Sequence, residues 1–141
     1  VYNEADIGTG YIINDRENLA TVQKPWIYKD IGAVTLANAL PSEVNKIDLL
    51  RMDIEGSEFL VIKGARDLIE KNPSMVIMME WDLRYMKRYG DVKELVAYFN
   101  DNGYKFWTNE KQGLQAKTAE EMTNLPYPSE VIISKKPVKD L

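Results

Sequence analysis

The stretch that decides the fold runs from Lys46 to Asp82 and reads KIDLLRMDIEGSEFLVIKGARDLIEKNPSMVIMMEWD. Lys46 to Asp53 is a largely apolar run that ends in Asp53-Ile54-Glu55-Gly56, which predicts a strand followed by a tight turn. From Ser57 onward Phe59, Leu60, Ile62, Ala65, Leu68 and Ile69 recur at helical spacing. The helix is expected to bend at Gly64 and to stop at Asn72-Pro73, because proline cannot continue it. Ser74 to Glu80 is then a short run with no polar alternation. Such a run predicts a central strand of a parallel sheet, covered on both faces.

Working outward, a polar and aromatic connector spans Trp81 to Gly90. Asp91 with Glu94 three residues on has the spacing of a capping box, and Val92, Leu95, Val96 and Phe99 line one face of the helix that follows. Asn102-Gly103 supplies its left-handed stop. Tyr104 to Trp107 and Glu130 to Ser134 read as two more strands. Between them, Thr118 with Glu121 can cap a short helix, and Pro126 and Pro128 keep the approach to the last strand extended. Strands alternating with helices predict a mostly parallel α/β sheet with right-handed crossovers and a last strand inserted antiparallel. Upstream, Trp26 to Lys29 is expected as an edge strand and Val34 to Leu40 as a short helix.

The 141 residues are expected to form one domain, with residues 1–45 as a variable lead-in to the strand and helix elements of 46–141. Eighteen basic against 22 acidic residues, a net charge of −4, argues against nucleic-acid or membrane-surface binding, which needs a basic face. The sequence shows no apolar run of membrane-spanning length. Cysteine is absent, so there is no disulfide framework, and a cytoplasmic location is the expectation. Histidine is absent too, so proton chemistry falls to carboxylates, lysine, tyrosine or a bound metal.

In a parallel sheet the ligand crevice lies outside the carboxyl ends of the strands. Two strands here end in acid: Asp53 and Glu55 close the first, Glu80 and Asp82 the second. If the two strands are neighbours, about 4.8 Å apart, these carboxylates converge. Such a cluster can hold a divalent cation or accept a proton from a substrate hydroxyl, while the plainer reading is helix capping and ion pairing. Asp53 and Glu80 are the candidate catalytic residues and candidate metal ligands; Glu55, Trp81 and Asp82 are candidates for holding substrate. Arg51 lies on the same face as Asp53 and is expected to pair with it, and Glu58 is expected to support its helix N-terminus. Tyr85 and Tyr89 can wall a substrate or simply pack locally, and Arg84, Lys87 and Arg88 read as a solvated face.

The segment from Ile47 to Asp82 resembles the signature region of FkbM-family methyltransferases, in which a strand ending in D-[VI]-E-G-x-E is followed by V-L-x-G-A and a second strand ending in Glu. The likeness is strong from Ile47 to Asp82 and weakens before Val34; Ala37 and Arg51 stand where the family usually has an acid and a lysine. It implies a class I, Rossmann-like doubly wound sheet, with the Asp53 strand fourth, the Glu80 strand fifth and the last two strands as a closing pair. It also implies S-adenosylmethionine as methyl donor and a hydroxyl of a sugar, polysaccharide or secondary metabolite as acceptor.

Asp6-Ile7-Gly8-Thr9-Gly10 invites reading as the glycine turn that cradles such a cofactor. Only 42 residues, 11–52, separate Gly10 from Asp53, too few for two strand-helix units of about 30 residues each. A loop is the expectation for this stretch, and the chain is expected to be the C-terminal half of the methyltransferase domain, with no cofactor-binding residue assigned. The competing reading is a non-catalytic interaction module that forms a homodimer through an open sheet edge. A Mg²⁺-dependent phosphate-handling enzyme ranks last, for want of a phosphate-cradling loop.

Overall fold

A computed structural model describes residues 32–137 together with the backbone of three strands, β1 (Tyr2–Asn3), β2 (Asp6–Gly10) and β3 (Trp26–Ile27). By contacts the chain forms two units, Val1–Ala33 and Val34–Leu141. In the first unit the strands pair antiparallel in the order β2-β1-β3, with Tyr2 opposite both Gly10 and Ile27. Trp26–Ile27 is therefore an edge strand, as its sequence predicts. Asp6–Gly10, however, is a strand rather than a loop: its backbone is held by the ladder to β1, which a glycine-bearing segment can join because the pairing is made by main-chain groups.

The second unit opens with the short helix α1 (Leu36–Ala39), whose N-terminus is capped by Thr35. It continues with β4 (Leu49–Met52), α2 (Glu58–Gly64), α3 (Arg66–Lys71) and β5 (Val76–Trp81). The break between α2 and α3 falls at Ala65, next to the predicted bend, and Asn72 ends α3. α4 (Leu83–Met86), α5 (Val92–Asp101), β6 (Lys105–Glu110), β7 (Gly113–Lys117), α6 (Ala119–Thr123) and β8 (Ser129–Ser134) complete the unit.

The sheet order is β4-β5-β8-β6-β7. Only β4 and β5 pair in parallel; β5 with β8, β8 with β6 and β6 with β7 are antiparallel. The sheet is therefore mixed, not mostly parallel. β4, β5 and β6 do point the same way, and the last strand, β8, is inserted antiparallel as the sequence predicts; but it enters between β5 and β6 and so removes the parallel contact expected there. β7, which the sequence hid inside a long connection, folds back onto β6 through a tight turn that ends at Gly113, with φ of 97°. It carries one large apolar residue, the exposed Leu114, so no buried stripe announces it.

A single core draws on Phe59, Ile62 and Ile69 of α2 and α3, Leu95, Val96 and Phe99 of α5, and Met122 of α6. These meet Ile77, Met79 and Trp81 of β5, Phe106 of β6, and Val131 and Ile133 of β8. On β5 the alternate residues Val76, Met78 and Glu80 are only half-buried. Among the described residues, then, helices cover one face of β5 rather than the two predicted, and the apolar Met78 on the other face belongs to the pocket described below. α5 is capped by Asp91, which accepts the Lys93 N–H, but no reciprocal box forms there because the Glu94 carboxylate turns to Arg66 at 3.0 Å. The reciprocal box does form at α6, between Thr118 and Glu121.

Candidate functional site

Strand pairing builds the site. β4 and β5 run parallel in a register that sets Arg51 against Met78 and Met52 against Met79, so Asp53, the first residue beyond β4, comes beside Glu80 near the end of β5. β8, running the other way, sets Glu130 opposite Glu80 and Ile132 opposite Met78. Three carboxylates on three adjacent strands thus stand in one row at the rim. Arg51, Asp53, Met78, Glu80, Ser129 and Glu130 are among the residues that line a pocket of about 160 Å³. Three acids and one guanidinium share its lining with methionine and proline side chains. Arg51 approaches Asp53 to 3.8 Å, the loose exposed pair that their shared strand face predicts. Asn109 donates to the Glu130 carboxylate at 3.0 Å.

The turn after β4 is held from below. Glu58 is almost fully buried, and its Oε1 accepts the Ile54 N–H at 2.8 Å. Glu55 takes a left-handed backbone with φ of 57°, and Gly56 follows at 94°. Gly56 also lets the turn lie against α4, since a Cβ there would sit 2.2 Å from that of Tyr85. Glu58 is therefore the support that its place near the helix start suggests, though by gripping the turn rather than by charge alone.

Burial pushes the Glu80 carboxyl above the usual glutamate range, and the neighbouring charges of Asp53, Glu55, Glu58 and Asp82 push the same way. Glu80 is thus the group at this rim that gives up its proton reluctantly. Asp82 is shifted the opposite way: Arg84 donates to both of its oxygens, at 2.6 Å to Oδ2 through Nη2, and holds its carboxyl below the usual aspartate range.

Of the residues singled out in the sequence, Asp53 and Glu80 meet in the pocket, and Glu55 lies close enough for its charge to act on Glu80. Trp81 and Asp82, both taken as substrate-binding candidates, are placed otherwise. Trp81 is wholly buried in the helix-covered core and donates from Nε1 to the Met122 carbonyl at 3.1 Å, because it falls on the opposite face of β5 from Glu80. Asp82 is buried, caps α4 through the Arg84 N–H and is bound by the Arg84 side chain. Arg84 and Arg88 are likewise more than a solvated face, since both lie over the Tyr85 ring.

The sequence reading missed Glu130. Its acid at the start of the last strand was visible, but only the register of β8 against β5 puts it opposite Glu80. Among the described residues no group of three or more His, Cys, Asp or Glu side chains is placed to hold a metal ion. Nor is a pocket of this size the 300–1,000 Å³ site that engulfs a ligand as large as S-adenosylmethionine. The residues that line this pocket suit a smaller group. No helix among them is long and apolar enough to cross a membrane.

Comparison with known proteins gives the chemistry a family. Neither the curated proteins nor the solved structures contain a match to the chain. A family model described as Methyltransferase FkbM domain matches residues 3–106, which carries the likeness well upstream of Val34, through β1, β2 and β3. With a match over more than half its length, and with the Asp53 and Glu80 strands side by side in an open α/β sheet, the chain belongs to the FkbM methyltransferase family.

Proposed function

We propose that the rim pocket is the acceptor side of an O-methyltransferase whose substrate is a hydroxyl of a sugar, polysaccharide or secondary metabolite. The observation that carries this reading is the convergence of Asp53 and Glu80 at the carboxyl ends of the parallel pair, in a pocket whose lining also includes Met78 and Pro128. Hydroxyls donate to carboxylates, and the carbon face of a ring packs on apolar side chains, so this combination suits a hydroxylated ring better than an anion.

Family membership implies S-adenosylmethionine, which supplies an electrophilic methyl group. The part assigned to this chain is orientation and proton removal. Asp53, exposed at the rim and beside Arg51, takes the proton of the acceptor hydroxyl as the new O–CH₃ bond forms. Glu80, whose carboxyl burial shifts upward, forms a hydrogen bond with a second acceptor oxygen. Glu55 contributes a further acceptor for a ring hydroxyl. Positioning of the oxygen supplies much of the rate.

The test is transfer of labelled methyl from S-adenosylmethionine, by the intact protein, to a panel of mono- and oligosaccharides. Asp53→Asn is expected to lower turnover about 10²-fold or more while leaving the thermal midpoint nearly unchanged. Undiminished turnover in that variant would remove Asp53 from the reaction, and absence of labelling across the panel would remove the carbohydrate assignment.

A further inference from the structure

The turn that carries Asp53 and Glu55 is strained, and the structure shows what holds it. Glutamate is a poor choice for a backbone φ of 57°, because its Cβ crowds the carbonyl in the left-handed region. Such a conformation persists where the surroundings over-determine it, and it concentrates at functional sites. Two contacts constrain this one. Gly56 packs directly on Tyr85, and the Glu58 carboxylate accepts the N–H of Ile54, the residue between Asp53 and Glu55.

Glu58 is itself an expensive way to provide an acceptor. It is 1% exposed, and its second oxygen, Oε2, has no hydrogen-bond partner among the described residues; the neighbouring Ser57 hydroxyl, also buried, has none either. A buried carboxylate with an unmatched oxygen does not stabilise a fold for its own sake. The hydrogen bond that it does accept, from the Ile54 N–H, fixes the backbone of the rim turn.

We propose that Glu58 is a positioning residue: by gripping the Ile54 N–H from inside the core, it locks the Ile54-Glu55 turn left-handed, so that Asp53 and Glu55 are both presented at the pocket edge. The role rests on reading that pocket as the acceptor site, but the clamp itself can be tested apart from any acceptor.

Glu58→Gln keeps an oxygen that can accept from Ile54, and Glu58→Ala removes it; both delete the charge. Amide hydrogen exchange on the intact protein is expected to show Ile54 protection within about threefold of the parent in Glu58→Gln. In Glu58→Ala it should fall at least tenfold, with β5 ladder amides unchanged. A second arm uses Glu55→Gly, which adopts positive φ without strain and so needs no clamp. The drop in thermal midpoint caused by Glu58→Ala should shrink in the Glu55→Gly background.

Retained Ile54 protection in Glu58→Ala, or an equal drop in both backgrounds, would overturn the proposal. If Glu58→Ala does not fold alone, the Glu55→Gly/Glu58→Ala double variant should fold; its failure would show that Glu58 serves something other than the Glu55 conformation. On any acceptor that the labelling panel identifies, Glu58→Gln should keep kcat and KM within about threefold, whereas Glu58→Ala should raise KM or lower kcat at least tenfold. A panel without labelling would sink the acceptor reading and leave the exchange and coupling results to decide the clamp.

Discussion

Glu80 of β5 stands directly opposite Glu130 of β8 in an antiparallel ladder, with Asp53 of β4 leaving the sheet on its other side. Like charges in such positions oppose folding unless something offsets them. Asn109 donates a hydrogen bond to the Glu130 carboxylate and Arg51 lies loosely by Asp53, while burial first, and the charges of Asp53, Glu55, Glu58 and Asp82 after it, raise the pKa of Glu80.

That arrangement fixes the sign of a pH effect. The folded state raises the Glu80 pKa above its unfolded value, so the unfolded chain releases this proton more readily. Below the unfolded pKa both states are protonated and the group has no effect. As pH rises through the window between the unfolded and folded values a destabilisation accrues, and it is complete above the folded pKa. Glu80→Gln should therefore raise stability to urea at pH 7 and lose that advantage at pH 4 and below; an advantage that grows on acidification would contradict this assignment.

Asp82 should behave in the opposite sense. Arg84 lowers its folded pKa, so its stabilisation is present above the unfolded value and is lost as pH falls through the folded one. Asp82→Asn is expected to lower the thermal midpoint at pH 7, and the deficit should close in strong acid. The same variant should leave acceptor KM unchanged, since Asp82 caps α4 and is bound to Arg84.

Gly56→Ala should be among the more damaging small substitutions in the chain. The added Cβ would lie 2.2 Å from the Tyr85 Cβ and 3.0 Å from its carbonyl carbon, on a backbone with φ of 94°. Overpacking and a disfavoured φ together cost about 2–4 kcal/mol, to be read from chemical unfolding. A loss below about 0.5 kcal/mol would show that the turn and α4 can separate freely.

Trp81→Phe removes the bond from Nε1 to the Met122 carbonyl and leaves part of a core site unfilled. Its expected cost is about 1–3 kcal/mol, with α6 amides losing exchange protection first. Acceptor KM should not move beyond the change that weakened folding brings. A selective rise in KM with intact α6 protection would return Trp81 to the substrate site.

The two sequence patterns that predict capping boxes should separate by mutation. Thr118→Ala breaks a formed box and should cost about 1 kcal/mol, as loss of a cap usually does. Glu94→Gln should leave the α5 cap intact, because Asp91 alone makes it, and should disturb only the exposed pair with Arg66.

By itself the sequence determined most of the elements of the second unit and the two acidic strand ends. The spacing of Phe59, Ile62 and Ile69 and of Val92, Leu95 and Phe99 commits those segments to helices on one core, and Asn72-Pro73 and Gly103 stop them through local backbone chemistry. The tertiary structure decided who sits beside whom. Whether β8 enters between β5 and β6, and so brings Glu130 to Glu80, depends on hydrogen-bond register between strands far apart in the chain. Local periodicity carries no record of that register. The face on which Trp81 falls, the pairing of Asp6–Gly10 with β1 and the grip of Glu58 on Ile54 were likewise set by packing and pairing partners rather than by the residues considered one at a time.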